Sequence, residues 1–154
     1  MKSSNLLFTA SWVILLIISG AIVLISAGSL WRGYSGRPDG LTPEYGLSQI
    51  EEQGGAQAAK AFRGRRVTAA TWAIGYALLA IGVIWIPYRR GERWAWWALL
   101  ASLGLSQLLS LARALALATT VGLATPALLL AFVLLGLLAG VPRIFARQEP
   151  TQKL

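Results

Sequence analysis

The sequence predicts an all-α integral membrane protein, a bundle of four transmembrane helices in a single membrane domain spanning residues 1–154. Of its 154 residues, 56% are hydrophobic and only 13% are charged, and the mean hydropathy is +0.60. The apolar residues form four long runs, and most Lys and Arg residues lie at the ends of these runs. Soluble domains carry about a quarter charged residues, and a chain this short cannot hide so much apolar surface in a soluble core. We therefore expect lipid to surround it.

The net charge of +8 comes from 14 Lys and Arg residues against 6 Asp and Glu residues. A basic protein that binds nucleic acid gathers its charges on a polar domain or helix, whereas here they flank apolar runs, as in membrane proteins. We therefore predict no nucleic-acid partner. The sequence has no cysteine and no histidine, which excludes disulfides, thiol chemistry and Cys or His metal sites. No metal or cofactor is predicted.

The first transmembrane helix is predicted at residues 6–30, because no charge lies between Lys2 and Arg32. At 1.5 Å per residue this run exceeds the hydrocarbon core of about 30 Å. A signal peptide is the alternative, since Lys2 gives a basic start and residues 26–28 are small. Apolar regions of signal peptides have only about 7 to 15 residues, so the run favours a retained anchor.

The second and fourth helices are bounded by prolines. The second is predicted at residues 67–87 and ends at Pro87, which resists continuation of a helix. The fourth is predicted at residues 122–141, opens beside Pro126 and closes at Pro142. A proline is acceptable in the first turn of a helix.

The third helix, predicted at residues 94–119, carries the only charge inside a span. Its polar residues lie on one face, at positions i, i+4, i+8 and i+11 with a glutamine beside them: Ser102, Ser106, Ser110, Arg113 and Gln107. Polar groups in hydrocarbon need partners, so this face should be turned to the bundle. Arg113 can also extend to the headgroups, since it lies about 9 Å from the helix end. Two interpretations stay open: contacts between helices, or a ligand site formed by Arg113, Gln107, Ser106 and Ser110.

The connections predict the orientation. Residues 31–66 form a long polar loop, residues 88–93 a tight basic link and residues 120–124 a short uncharged link. The side of the amino terminus carries seven Lys and Arg residues against six on the other side, but the two short links differ by three against none. Because positive residues in short loops mark the cytoplasmic side, we predict both termini in the cytoplasm and the long loop outside.

Within the long loop, residues 42–44 and 48–51 have the pattern of capped helix starts. Gly54 and Gly55 would stop that helix, and residues 57–62 would begin another.

The most distinctive segment is residues 88–97, Tyr-Arg-Arg-Gly-Glu-Arg-Trp-Ala-Trp-Trp. Its arginines would lie at the phosphate level and its tryptophans would form a belt at the interface; these residues are Arg89, Arg90, Arg93, Trp94, Trp96 and Trp97. Glu92 suits the positive end of the following helix. The segment is interpreted either as an anchor that fixes topology or as a docking site for anionic lipid or a partner, since each surface cation adds about 1 kcal/mol of attraction.

This segment resembles a motif of small bacterial four-helix membrane proteins with no assigned activity, in which an aromatic-Arg-x-Gly-Glu-x-Trp-Ala-Trp stretch joins helices two and three. The match is close over this segment, and elsewhere it extends only to the hydropathy. The resemblance implies only the architecture and a bacterial origin. We predict that the chain lies in the bacterial inner membrane.

Small residues indicate where helices approach closely. Gly136 and Gly140 form a GxxxG pattern on the fourth helix, and a looser set lies on the second: Thr68, Thr71, Gly75 and Gly82. Such surfaces allow contact within the bundle or between copies of the chain. The predicted partners are therefore membrane lipids, together with a homo-oligomer or a larger membrane assembly.

The residues present exclude several activities. A thiol–quinone oxidoreductase needs a Cys-x-x-Cys, a small multidrug exporter needs a Glu in its first helix, and sterol-isomerase-like proteins need intramembrane His and Glu. Phosphatidyl-transferases need clustered aspartates, and the one aspartate is Asp39. We predict that the chain is not an enzyme but a structural, accessory or interaction component of the membrane.

The alternative is a small carrier or binder of an apolar or anionic solute that uses the polar face of the third helix. Carriers usually place polar residues on more than one helix, and this favours the first interpretation.

Overall fold

The computed structural model describes residues 2–35, 47–116 and 123–145, and every regular element among them is helical. The elements are α1 (Lys2–Ser35), α2 (Leu47–Val83), α3 (Arg93–Leu99), α4 (Leu105–Ala116) and α5 (Ala124–Ile144). A π-helical turn, Ile84–Tyr88, follows α2, and another, Leu100–Gly104, joins α3 to α4.

Four helical stretches are long and apolar enough to cross a membrane, as the sequence predicts. Span 1 is Asn5–Ser35, span 2 Gly54–Tyr88, span 3 Arg93–Ala116 and span 4 Ala124–Ile144. The shortest has 21 residues, which at 1.5 Å per residue matches a hydrocarbon core of about 30 Å. The all-helical fold with four candidate membrane spans is confirmed for the described residues.

The helices reach further into the predicted loop, residues 31–66, than hydropathy indicates. Helix α1 continues to Ser35 and α2 begins at Leu47. The polar start of α2, residues 47–66, is rich in Ala, Gln, Glu and Arg, which favour a helix although the segment is not apolar. Gly55 interrupts α2 with φ 72° and ψ 174°, where the sequence predicts a stop. The predicted start at residues 42–44 lies outside the described residues.

Span 2 ends at Tyr88, one residue beyond the predicted end at Pro87, and the chain turns at Gly91. A proline ring in an α-helix collides with the carbonyl four residues earlier, and the wider π-helical turn Ile84–Tyr88 accommodates it. Gly91 then adopts φ 80°. The Glu92 N–H donates to the Pro87 carbonyl at 3.1 Å and the Gly91 N–H to the Tyr88 carbonyl at 2.9 Å. This is the Schellman pattern that ends helices at a left-handed glycine.

Pro142 also lies inside a helix, because α5 continues to Ile144 instead of closing at residue 141. The Phe145 N–H donates to the Val141 carbonyl at 2.9 Å, so the backbone beyond the proline keeps a helical hydrogen bond. At its start, α5 begins at Ala124, close to the predicted residue 122. Residues 117–119, the predicted end of the third helix, lie outside the described residues.

The chain divides into two compact units. The four-span unit comprises Met1–Ser19 and Leu79–Leu154, and thus contains part of every span. Its largest fully buried side chains are Tyr88, Leu15, Ile84, Leu99, Leu103 and Leu137. The two-helix unit is Gly20–Leu78; there the Arg66 Nε–H of α2 donates to the Ser29 hydroxyl of α1 at 3.0 Å.

Candidate functional site

A buried hydrogen-bonded pair joins three spans inside the four-span unit. The hydroxyl oxygens of Ser11 in α1 and Tyr88 at the end of span 2 are 2.6 Å apart, and the Ser11 hydroxyl is also 2.6 Å from the Gly136 carbonyl of α5. A carbonyl can only accept, so Ser11 gives its one proton to Gly136 and Tyr88 donates to Ser11. Both side chains are fully buried, and these two hydrogen bonds give each hydroxyl proton an acceptor.

Two glycines of α5 make room for this pair. A Cβ atom at Gly140 would meet the Tyr88 hydroxyl and lie 2.9 Å from Ser11 Oγ, and one at Gly136 would lie 3.1 Å from Leu15. The GxxxG pattern is thus used for packing within the chain. The other predicted set of small residues is exposed on α2: Thr68, Thr71, Gly75 and Gly82.

Two arginines contact the faces of aromatic rings near this hydrogen-bonded pair. Phe8 stacks on Tyr88 with ring centres 5.7 Å apart, and the Arg143 guanidinium lies 4.4 Å from the centre of the Phe8 ring. The Arg89 guanidinium lies 4.7 Å from the centre of the Trp12 ring and 4.8 Å from that of Trp85. Contacts of this kind are attractive because the ring face is electronegative.

A third arginine, Arg93, contacts the end of α5. Its guanidinium lies 5.8 Å from the Phe145 ring centre, and its Nε–H donates to the Ile144 carbonyl at 3.4 Å. Trp96 is also turned towards α5, since its indole N–H donates to the Leu137 carbonyl at 3.0 Å. We call Arg89, Arg93 and Arg143, with the rings that they contact, the cationic–aromatic cluster.

The remaining residues of segment 88–97 are more exposed. The side chains of Trp94 and Trp97 are 56% and 57% exposed, and Arg90 is exposed as well. The Glu92 carboxylate accepts the indole N–H of Trp94. Glu92 directly precedes α3, where a negative charge favours the helix start.

The polar face of span 3 is bonded mainly to its own helix. The hydroxyls of its serines donate to carbonyls within the span, at 3.4 Å for Ser102, 3.0 Å for Ser106 and 2.9 Å for Ser110. The Gln107 amide donates to the Ser106 hydroxyl at 3.4 Å, and all four side chains are half-buried. Arg113 differs from the expectation that it faces the bundle, because it is exposed in the last turn of α4. A cation there is favoured by the helix dipole.

Sequence reasoning missed Ser11, Phe8 and Trp12, and counted Arg143 only as a topological charge. A signal for Ser11 exists: α1 buries Ser11, Ser19 and Ser26, whose spacing places them near one face of a helix. No comparable signal links Arg143 to Phe8, because the two residues lie far apart in sequence and meet only through the packing of α1 against α5.

Comparison of the chain with protein-family models, curated proteins and solved structures yields no match. Among residues 2–35, 47–116 and 123–145, no three His, Cys, Asp or Glu side chains could hold a metal ion together. A function must therefore be inferred from the geometry and chemistry of the residues.

The buried pair generates a mutational prediction. Gly140→Ala should destabilise the protein by about 1 to 3 kcal/mol, because the new methyl group overpacks the site. Tyr88→Phe alone should cost about 0.6 kcal/mol, a typical value for a hydrogen bond between membrane helices. In the double variant the absent hydroxyl gives the methyl group room, so its cost should be less than the sum of the single costs. Unfolding in detergent measures all three.

Gly82→Ala is the matched control, since nothing lies within 4 Å of a Cβ atom at that position. It should leave the unfolding free energy unchanged or slightly raise it, because alanine favours a helix over glycine. Equal stability of Gly140→Ala and Gly82→Ala, or strictly additive costs in the double variant, would contradict the assigned contact.

Proposed function

We propose that this protein is a non-catalytic multi-pass component of the bacterial inner membrane, with a structural, accessory or interaction role. The observation that carries the proposal is the cationic–aromatic cluster. Three exposed arginines, Arg89, Arg93 and Arg143, are positioned by aromatic rings at the ends of spans 2, 3 and 4. An end of this kind presents a fixed positive surface to partners at a membrane interface.

The polar groups within the spans support a role without catalysis. The hydroxyls of Ser11 and Tyr88 serve to join helices, and those of Ser102 and Ser110 bond to helix carbonyls. The sequence has no histidine or cysteine, the side chains that most often activate a nucleophile or act as one. Because these hydroxyls already form hydrogen bonds within the protein, they stabilise the fold and are not available as nucleophiles.

The carrier alternative has less support. Its residues Ser106, Gln107 and Ser110 are contributed by one span, whereas carriers usually combine polar or broken segments of several spans at the midplane. Arg113, the proposed cation for an anionic solute, is exposed at the end of α4. A position there suits the helix dipole and the headgroup region.

The proposed orientation places both termini in the cytoplasm, which puts the cationic–aromatic cluster on the cytoplasmic side. Because the chain has no cysteine, single cysteines can report it without background. In intact spheroplasts an impermeant maleimide should label Thr42→Cys, which lies between spans 1 and 2, and should label Thr151→Cys only after lysis. Both substitutions leave the topogenic charges unchanged. The reverse labelling pattern would refute the orientation.

Native mass spectrometry of the protein extracted in a mild detergent from its host tests the proposed role. An accessory or interaction component should retain a defined additional mass that corresponds to another protein subunit. A retained small molecule, lost on Arg113→Gln replacement, would favour the carrier instead. A bare monomer or a homodimer would count against the accessory role.

A further inference from the structure

Two arginines, one directly after span 2 and one in span 4, lie beside the same face of α1. The Arg143 guanidinium is 4.4 Å from the centre of the Phe8 ring, and the Arg89 guanidinium is 4.7 Å from that of Trp12. Phe8 and Trp12 are four residues apart in one helix, so they share a face and are separated along it by about 6 Å, roughly one turn. Two cations that are distant in sequence are therefore held at neighbouring turns.

The ring contacts position these guanidinium groups without consuming their N–H donors. Arginine has five N–H donors in a planar fork, and stacking on a ring leaves that plane open to other ligands. Arg143 donates one N–H to the Asn5 side-chain oxygen at 3.4 Å. The fork geometry matches the oxygens of a phosphate or carboxylate group, and the rings restrict its orientation before a ligand arrives.

The charge at this end of the four-span unit is not balanced within the part of the chain that the structure describes. Arg90 and Arg93 add two further cations, and Glu92, the nearby carboxylate, accepts the Trp94 indole N–H. Among the described residues, Arg89 and Arg143 form no ion pair with a carboxylate. The several cations at this end would attract an external anion.

The depth of the two cations favours a lipid over a dissolved anion. Span 2 ends at Tyr88 and span 4 at Ile144, directly beside the two arginines in the chain. Trp85 and Ile86, in the turn before Arg89, are 55% and 53% exposed. Exposed tryptophan is typical of the boundary between hydrocarbon and headgroups. A phospholipid whose phosphate binds the two arginines would therefore find apolar protein surface next to its acyl chains.

We propose that Arg89 and Arg143 form a binding site for the phosphate group of an anionic phospholipid. The proposal rests on the proposed role as a membrane component and names a lipid as one of its partners. Arg143, on α5, belongs to this site although it lies far from segment 88–97 in sequence. Arg90, which has no ring contact among the described residues, contributes only to the general surface potential.

Titration of the purified full-length protein with phosphatidylglycerol in a nonionic detergent, followed by native mass spectrometry, tests the site. Arg89→Gln and Arg143→Gln should each lower the affinity about fivefold, the change expected for the loss of one cation beside a bound phosphate. Arg90→Gln is the matched control, because it removes the same charge from the adjacent position. It should lower the affinity by less than about twofold, because no aromatic ring among the described residues positions the Arg90 guanidinium, so its attraction for the phosphate is that of a solvent-screened surface charge.

Arg143→Lys covers the case in which a glutamine variant fails to fold, as judged by its helical circular dichroism. Lysine keeps the charge but lacks the planar fork, so this variant should stay folded and still bind the lipid more weakly. An equal loss in Arg90→Gln, or no preference of the natural sequence for phosphatidylglycerol over phosphatidylcholine, would overturn the site. Displacement of the lipid by millimolar inorganic phosphate would assign the site to a dissolved anion instead. None of these results depends on a protein subunit, so each is distinct from failure of the proposed role.

Discussion

The hydrogen bonds from Tyr88 to Ser11 and from Ser11 to the Gly136 carbonyl fix how three helices of the four-span unit meet. Helices in lipid gain little from the hydrophobic effect, because lipid tails are as apolar as leucine; close packing and hydrogen bonds must associate them. Here one hydroxyl pair joins spans 1, 2 and 4. This hydroxyl pair requires glycine at position 140, because the Cβ atom of any other residue there would collide with the Tyr88 hydroxyl.

The same contact determines where the charged side chains lie. With Tyr88 buried, the next residue, Arg89, is exposed and lies against Trp12 and Trp85. Phe8, one turn before Trp12, stacks on Tyr88, and the Arg143 guanidinium lies over the Phe8 ring. The π-helical turn contributes as well, because an extra residue in a turn changes the direction of the side chains that follow by about 100°. The packing between the helices and the positions of these charged side chains are thus parts of one arrangement.

Much of the fold is predictable from the sequence, and the reasons are physical. Four apolar runs predict four spans because a helix satisfies its own backbone in lipid. Helix ends are less predictable: hydropathy marks where a helix meets water, so it fails for α2, which begins at Leu47 although the apolar run starts near Val67. The Gly91 stop depends on backbone hydrogen bonds that hydropathy does not report.

The candidate site is predictable only in part. The sequence of segment 88–97 identifies Arg89 and Arg93 as candidates, because three arginines and three tryptophans occur there within ten residues. The partners that position them come from elsewhere: Ser11 meets Tyr88 across 77 residues and Gly136 across 125. Such contacts depend on the rotation of each helix about its own axis relative to its neighbours, and this rotation cannot be predicted from a single sequence.

Oxidative cross-linking in native membranes tests most directly whether spans 1 and 4 pack in this way within one chain. A Cβ atom at Gly136 would lie 3.1 Å from Leu15 Cγ, so Leu15→Cys with Gly136→Cys should bring two sulfurs within bonding distance. The pair Leu15→Cys with Leu138→Cys is the control, because Leu138 is 62% exposed and lies on the other side of α5. The structure predicts an efficient cross-link within a single chain for the first pair and little for the second. A disulfide-linked dimer, or no cross-link for Leu15→Cys with Gly136→Cys, would contradict it.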